Sequence, residues 1–190
     1  KIIVDTNSYF RLAQNIHPLL CVSFGEADYT LYMHADLNAE LRANPRLENK
    51  FDWASTEEFR ANRKRALSLS KEDKTEIEDT FDYMWECVKE DFHTQHGKGP
   101  SRTDTLIVAT AAVLEIRMVT DDQDMIELAH IYGVHQVTSL ELTKLMLDEK
   151  HIDLNKVEQV VAQWQYDNDT PYKGWEKEYK RLFKQVPPEA

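Results

Sequence analysis

Residues 1–7, KIIVDTN, decide how the rest of this chain is read. Ile2, Ile3 and Val4 are apolar in succession, and Asp5, Thr6 and Asn7 follow at once. An unbroken apolar run ahead of a polar cluster is the pattern of a strand buried on both faces of a parallel sheet. Such a strand delivers its last side chains to the carboxyl edge of the sheet. The plainer reading makes Thr6 or Asn7 the cap of the next helix and Asp5 an ordinary strand-end residue. Alone, the stretch favours the plainer reading, so the acids further along carry the decision.

The chain then alternates. Residues 8–14 read as a short helix, Pro18 breaks the pattern and Gly25 marks a turn. YTLYMH (29–34) is β-rich and reads as the second strand, and ADLNAELRAN (35–44) turns helical, with Leu37, Glu40 and Leu41 at helical spacing. Residues 45–100 differ in character and read as an inserted helical hairpin. Ser55 with Glu58 predicts a capping box opening TEEFRANRKRALSL, and Ser70 with Asp73 predicts another. In the second helix Ile77, Phe81, Met84, Trp85, Val88 and Phe92 recur at helical spacing, and GKGP (97–100) ends it. From residue 103 the rhythm is helix, strand (IRMVT, 116–120), helix, strand (VHQVT, 134–138) and a helix capped by Thr138 and Glu141. Strands alternating with helices predict an α/β/α sandwich around a central parallel sheet of four to five strands. Residues 1–150 are expected to form this domain and 151–190 a helical extension.

Composition narrows the class. The chain has 190 residues, 42% of them hydrophobic, as in soluble globular proteins. No apolar run approaches the roughly 20 residues that cross a bilayer, so no membrane association is expected. No basic leader precedes the first strand, so no signal peptide is expected, and the lack of an initial methionine places the start slightly inside the gene product. The two cysteines, Cys21 and Cys87, form no CxxC and read as reduced residues of a cytoplasmic protein. A net charge of −11 argues against a sequence-independent duplex-DNA binder, though an acidic pocket and a local basic groove can coexist.

Acids gather at one edge. In a parallel sheet functional side chains collect beyond the carboxyl ends of the strands. Asp5 ends the first strand, and Asp121, Asp122 and Asp124 follow IRMVT. Glu40 lies early in the helix after the second strand, and Asp104 opens the helix before IRMVT. Each has a plainer role. Asp104 completes a capping box with Ser101, Asp124 caps its own helix with Glu127, and Glu40 is a solvated helix residue. Convergence changes the balance, because two carboxylates about 4 Å apart repel by ~4 kcal/mol at a surface-like dielectric. A cluster of four must protonate, spread or bind a cation, and oxygen-only donors suit Mg²⁺ or Mn²⁺.

IIVDTN, Glu40, DTLIVATA (104–111) and MVTDDQDM (118–125) together resemble the PIN domain, the metal-dependent ribonuclease fold of VapC-type toxins. The resemblance covers about residues 1–44 and 101–148. It implies catalytic roles for Asp5, Glu40, Asp104 and Asp122, metal ligation by Asp5, Asp104 and Asp122 with Asp124 as a further acid, and support from Thr6, Asn7 and Thr120. The metal would orient and deprotonate a water for in-line attack on an RNA phosphodiester. A toxin of a toxin–antitoxin or phage-defence system, an antitoxin or other protein partner and a homodimer all accord with it. Asp121 stands where asparagine is frequent in that family, and Met125 where an aromatic is usual.

RANRKR (60–65) is the dense basic segment. Arg60, Arg63, Lys64 and Arg65, with Arg42 nearer Glu40, are the candidates for an RNA path, against the plainer reading of a solvated helix face. Trp164, Tyr166, Tyr172, Trp175 and Tyr179 stack bases or, by the plainer reading, pack on the core. The rival enzyme is a haloacid-dehalogenase-like phosphatase, which needs a second Asp two residues after the first. Asn7 stands there. A PIN-like scaffold of weak activity that recruits a protein is the non-enzymatic rival. No HExxH, Walker A, GxGxxG or Ser–His–Asp ordering occurs.

Overall fold

The computed structural model describes residues 1–34, 50–64, 67–94 and 97–189. Five strands form one sheet in the order β2-β3-β1-β4-β5: β1 is Ile2–Val4, β2 Ser23–Phe24, β3 Tyr29–Tyr32, β4 Arg117–Val119 and β5 Gln136–Val137. β1 lies at the centre, parallel to β3 on one side and to β4 on the other, with Val4 opposite Val119. β4 runs parallel to β5. Ile2, Ile3 and Val4 are at most 1% exposed, as a strand covered on both faces requires.

The α/β class holds, and the sheet is mixed at one edge. β2 pairs antiparallel with β3, Phe24 opposite Tyr29, so 23–32 is a hairpin where the sequence predicts a single strand over 29–34. Gly25 and Asp28 both take positive φ in its turn, 71° and 51°. A Cβ on Gly25 would stand 2.5 Å from Glu149 Oε2, the oxygen that accepts the Glu26 N–H at 3.2 Å. The hairpin is thereby tied to the end of the helix Ser139–Asp148.

Eight helices among the described residues cover the sheet: α1 Thr6–Ala13, α2 Glu57–Arg63, α3 Lys71–Cys87, α4 Arg102–Val113, α5 Gln123–Ile131, α6 Ser139–Asp148, α7 Leu154–Tyr166 and α8 Trp175–Phe183. α3 packs on α4 and α4 on α5, while α1, α6 and α7 pack together and α8 rests on α6. None of the described helices is long and apolar enough to cross a membrane. The capping boxes expected at Ser70/Asp73, Ser101/Asp104 and Thr138/Glu141 are all formed. The one expected at Ser55/Glu58 is not. Ser55 ends a 3-10 turn (Asp52–Ser55), and α2 begins after Thr56, which caps through its backbone alone. α2 also stops at Arg63, where the sequence predicts helix to residue 69.

α3 continues into a π-helical turn, Val88–His93, before Gly97. One buried cluster runs from β1 through Phe81, Met84 and Phe92 to Val157, Val160, Trp164, Trp175 and Tyr179. Of the C-terminal aromatics, Trp164, Trp175 and Tyr179 therefore pack inside, Tyr172 is half-buried and Tyr166 is exposed.

Candidate functional site

Asp5 is the first residue beyond β1, and its N–H still donates to Val119 O at 3.0 Å, so the ladder holds its backbone. Its side chain then caps α1: Oδ1 accepts the Ser8 N–H at 2.6 Å. Asp5 itself does the capping that the sequence assigns to Thr6 or Asn7. Thr6 is buried in the first turn and Asn7 is exposed.

The other oxygen looks across to the neighbouring strand. Thr120, the residue after β4, donates from Oγ1 to Asp5 Oδ2 at 2.6 Å. The same hydroxyl accepts the Asp122 N–H at 3.1 Å. One buried threonine thus joins a buried carboxylate to the backbone of the next acid. Asp122 is exposed and caps α5, its Oδ1 accepting the N–H groups of Asp124 and Met125 at 2.9 and 3.0 Å. The expected Asp124/Glu127 cap is replaced by this one, because Asp122 holds the N-cap position and Asp124 lies inside the first turn.

Asp5 is 3% exposed. Burial pushes its carboxyl up to about 6, against hydrogen bonds from Thr120 and Ser8 that lower it, and the charge of Asp121 adds a smaller upward push. Among the described residues no cation faces this desolvated carboxylate, and a second acid lies nearby.

Asp121 is the residue that sequence reasoning undervalued. Its side chain is 1% exposed and fully engaged. Oδ1 accepts the Ser139 N–H at 2.9 Å; Oδ2 accepts Ser139 Oγ at 2.6 Å and Arg11 Nη1 at 2.9 Å. Arg11 also reaches Asp169, at Oδ1 and at the carbonyl oxygen, both at 3.3 Å, and Lys50 Nζ lies 3.2 Å from Asp169 Oδ2. The carbonyl of Arg11 accepts Trp164 Nε1–H at 2.7 Å. Asp121 therefore anchors β4, α6, α1 and the loop after α7 together. The available signal was a lone arginine in the otherwise uncharged TNSYFRLA helix.

Asp104 keeps its plainer role at one oxygen: it is half-buried at the start of α4, and Oδ2 accepts the Ser101 N–H at 2.8 Å. Glu40, Arg42 and Arg65 lie outside the described residues. Among the described residues, no three His, Cys, Asp or Glu side chains group closely enough to hold a metal ion. What is brought together is Asp5, Thr120 and the Asp122 turn. Carboxylate oxygens are the hard donors that divalent cations such as Mg²⁺ take.

The basic segment divides. Arg60 and Lys64 are exposed, but Arg63 is 6% exposed. Its Nη2 donates to Ala54 O at 2.5 Å and Nη1 to Tyr9 Oη at 3.2 Å, with the guanidinium 5.6 Å from the Tyr9 ring centroid. Arg63 fastens α2 to the core, and its side chain is buried where the sequence reads a surface cation.

No family model matches the chain, and no curated protein matches it. Among solved structures, FitAcB from Neisseria gonorrhoeae is similar with a TM-score of 0.42 and 16% identity, over 73% of this chain and 98% of that one.

Proposed function

We propose that this chain is a Mg²⁺- or Mn²⁺-dependent endoribonuclease acting at the carboxyl edge of β1 and β4. The observation that carries the reading is the Asp5–Thr120–Asp122 linkage. It ties a buried carboxylate through one threonine hydroxyl to the backbone of an exposed acid on the adjacent strand end. Asp5 and Asp122 would hold the cation, with Asp104, Asp124 and Glu40 as the further acids. When bound, the cation lowers the pKa of a water and offsets charge on the phosphoryl oxygens. Asp5 contributes a fixed negative charge whose position is set by Ser8 and Thr120. Asp122 is exposed at the N-cap of α5, where Oδ1 makes the cap. Thr120 keeps the two acids in register. The motif resemblance extends this reading to a toxin held in check by a protein antitoxin.

The experiment is a cleavage assay on an RNA panel with Mn²⁺, Mg²⁺ or chelator, beside a small phosphate monoester. Metal-dependent internal cleavage that Asp122→Asn abolishes supports the reading. Full cleavage by Asp122→Asn or in chelator overturns it, and turnover of the monoester alone favours a phosphatase.

A further inference from the structure

A cluster at the start of α4 takes no part in the linkage of acids. Arg102, the exposed first residue of α4, lays its guanidinium 4.9 Å from the Phe81 ring centroid and 5.3 Å from that of Trp85. Those rings lie one helical turn apart on α3 and are nearly parallel, 6.3 Å apart at 9°. His93 meets Trp85 edge-on at 5.5 Å, and its Nε2 lies 3.3 Å from Pro100 O. Gly99 lets this segment pass close over α3's end, since a Cβ there would stand 2.5 Å from Phe92 Cβ. Arg102 is therefore positioned by stacking.

No carboxylate among the described residues pairs with Arg102, although the chain carries a net −11 and Glu78, Asp82 and Glu86 are exposed on α3. Stacking on an aromatic face leaves the N–H edge of a guanidinium free, and that planar fork matches phosphate oxygens. Arg102 also precedes Asp104 in the same first turn, about 3 Å along the helix axis. Two residues apart, the side chains lie on different faces of α4, so Arg102 offers its charge at the helix end without touching Asp104. The half-buried rings of Trp85 and His93 add a surface on which a base can stack.

We propose that Arg102, held on Phe81 and Trp85, binds a backbone phosphate of single-stranded RNA; the identity of the strand rests on the nuclease reading above. The test is the binding of a short unstructured oligoribonucleotide by Asp122→Asn protein in Mg²⁺, followed by fluorescence anisotropy from about 50 to 200 mM salt. Arg102→Gln is expected to weaken binding several-fold at the lowest salt and to flatten the log–log salt slope by about 0.7, the share of one neutralised phosphate on a single strand. Arg102→Lys keeps the charge and should keep the slope. Thermal melting of both variants checks that the fold is retained. An unchanged slope and affinity in Arg102→Gln overturns the proposal, as does failure of the parent protein to bind. Cleavage of the same RNA by wild-type protein in Mn²⁺ judges the nuclease reading separately. Cleavage with an unchanged slope removes the role of Arg102 alone, and absence of both binding and cleavage removes both.

Discussion

Thr120 Oγ1 donates to Asp5 Oδ2 at 2.6 Å, across the ends of two parallel strands that are neighbours in space and 115 residues apart in sequence. Val4 opposite Val119 sets that approach, because the very next residue of each strand is a member of the polar pair. Removing the hydroxyl while keeping the shape leaves a buried carboxylate oxygen unsatisfied. Thr120→Val is expected to cost about 1.5–3 kcal/mol, the range for a hydrogen bond to a charged group. It should also raise the Asp5 pKa further, while Thr120→Ser restores most of both. Urea denaturation at neutral pH measures the first effect. Equal stability of wild type and Thr120→Val would show that the bond contributes nothing.

The same burial sets a pH dependence. Asp5 has an ordinary value of 3.8 and a folded value of about 6, so the folded state binds its proton more tightly than the unfolded chain. This acid therefore opposes folding increasingly as pH rises from 3.8 to about 6, and the full cost persists above that window. Two units correspond to about 3 kcal/mol. Asp5→Asn keeps a good N-cap residue for α1 and carries no charge. In chelator it should be more stable than wild type at pH 7.5 by up to about that amount, with the difference vanishing below pH 4. Denaturation midpoints at several pH values test this, and a constant difference across the range would refute it.

Much of this architecture is written in local signals. Ile2–Val4 reads as a doubly covered strand because nothing polar interrupts it, and three capping boxes are visible because their partners lie three residues apart. What escaped the sequence depends on distant partners. Arg63 looks like a surface cation among RANRKR until Tyr9 and Ala54 are placed around it. Asp121 looks like the lesser half of an Asp–Asp pair until Arg11 and Ser139 arrive from 110 and 18 residues away. The two-residue strand β2 is too short to carry a periodicity.

Divalent cations should act on the Asp5 region in opposition to its proton. A ligand bound by the native state alone adds about 2.7 kcal/mol at a hundred times its dissociation constant. Millimolar Mn²⁺ is expected to raise the melting temperature at pH 7.5, with Asp5→Asn and Asp122→Asn each reducing the rise. A melting temperature indifferent to Mn²⁺ in wild-type protein would argue against a specific cation site.

Arg11 and Asp121 form a pair with side chains 11% and 1% exposed. Deleting one member strands the other's charge in the interior, at about 3–5 kcal/mol. Arg11→Met should therefore destabilise strongly, and Arg11→Met with Asp121→Asn should recover part of the loss. A double-mutant cycle in urea gives the coupling directly. Strict additivity of the two substitutions would show that Ser139 alone satisfies Asp121.

The basic segment offers a contrast between neighbouring cations. Arg63 is locked to Ala54 O and Tyr9 Oη, so Arg63→Met is expected to cost about 1–3 kcal/mol of stability. Any change in RNA affinity that follows should track unfolding and disappear where the variant is fully folded. Arg60 and Lys64 sit on the same short helix and at its end, both exposed. Their substitution should leave the melting temperature nearly unchanged, because neither side chain is buried. If the segment lies along the RNA path, Arg60→Gln with Lys64→Gln flattens the log–log salt dependence of single-strand binding by about 1.4, or 0.7 for each phosphate no longer neutralised. Cleavage at saturating RNA should change little, since such cations hold substrate and transition state alike. Binding curves over a salt series, for wild type and the double variant, read the difference. Parallel slopes would make Arg60 and Lys64 a solvated helix face and place the RNA elsewhere on the protein.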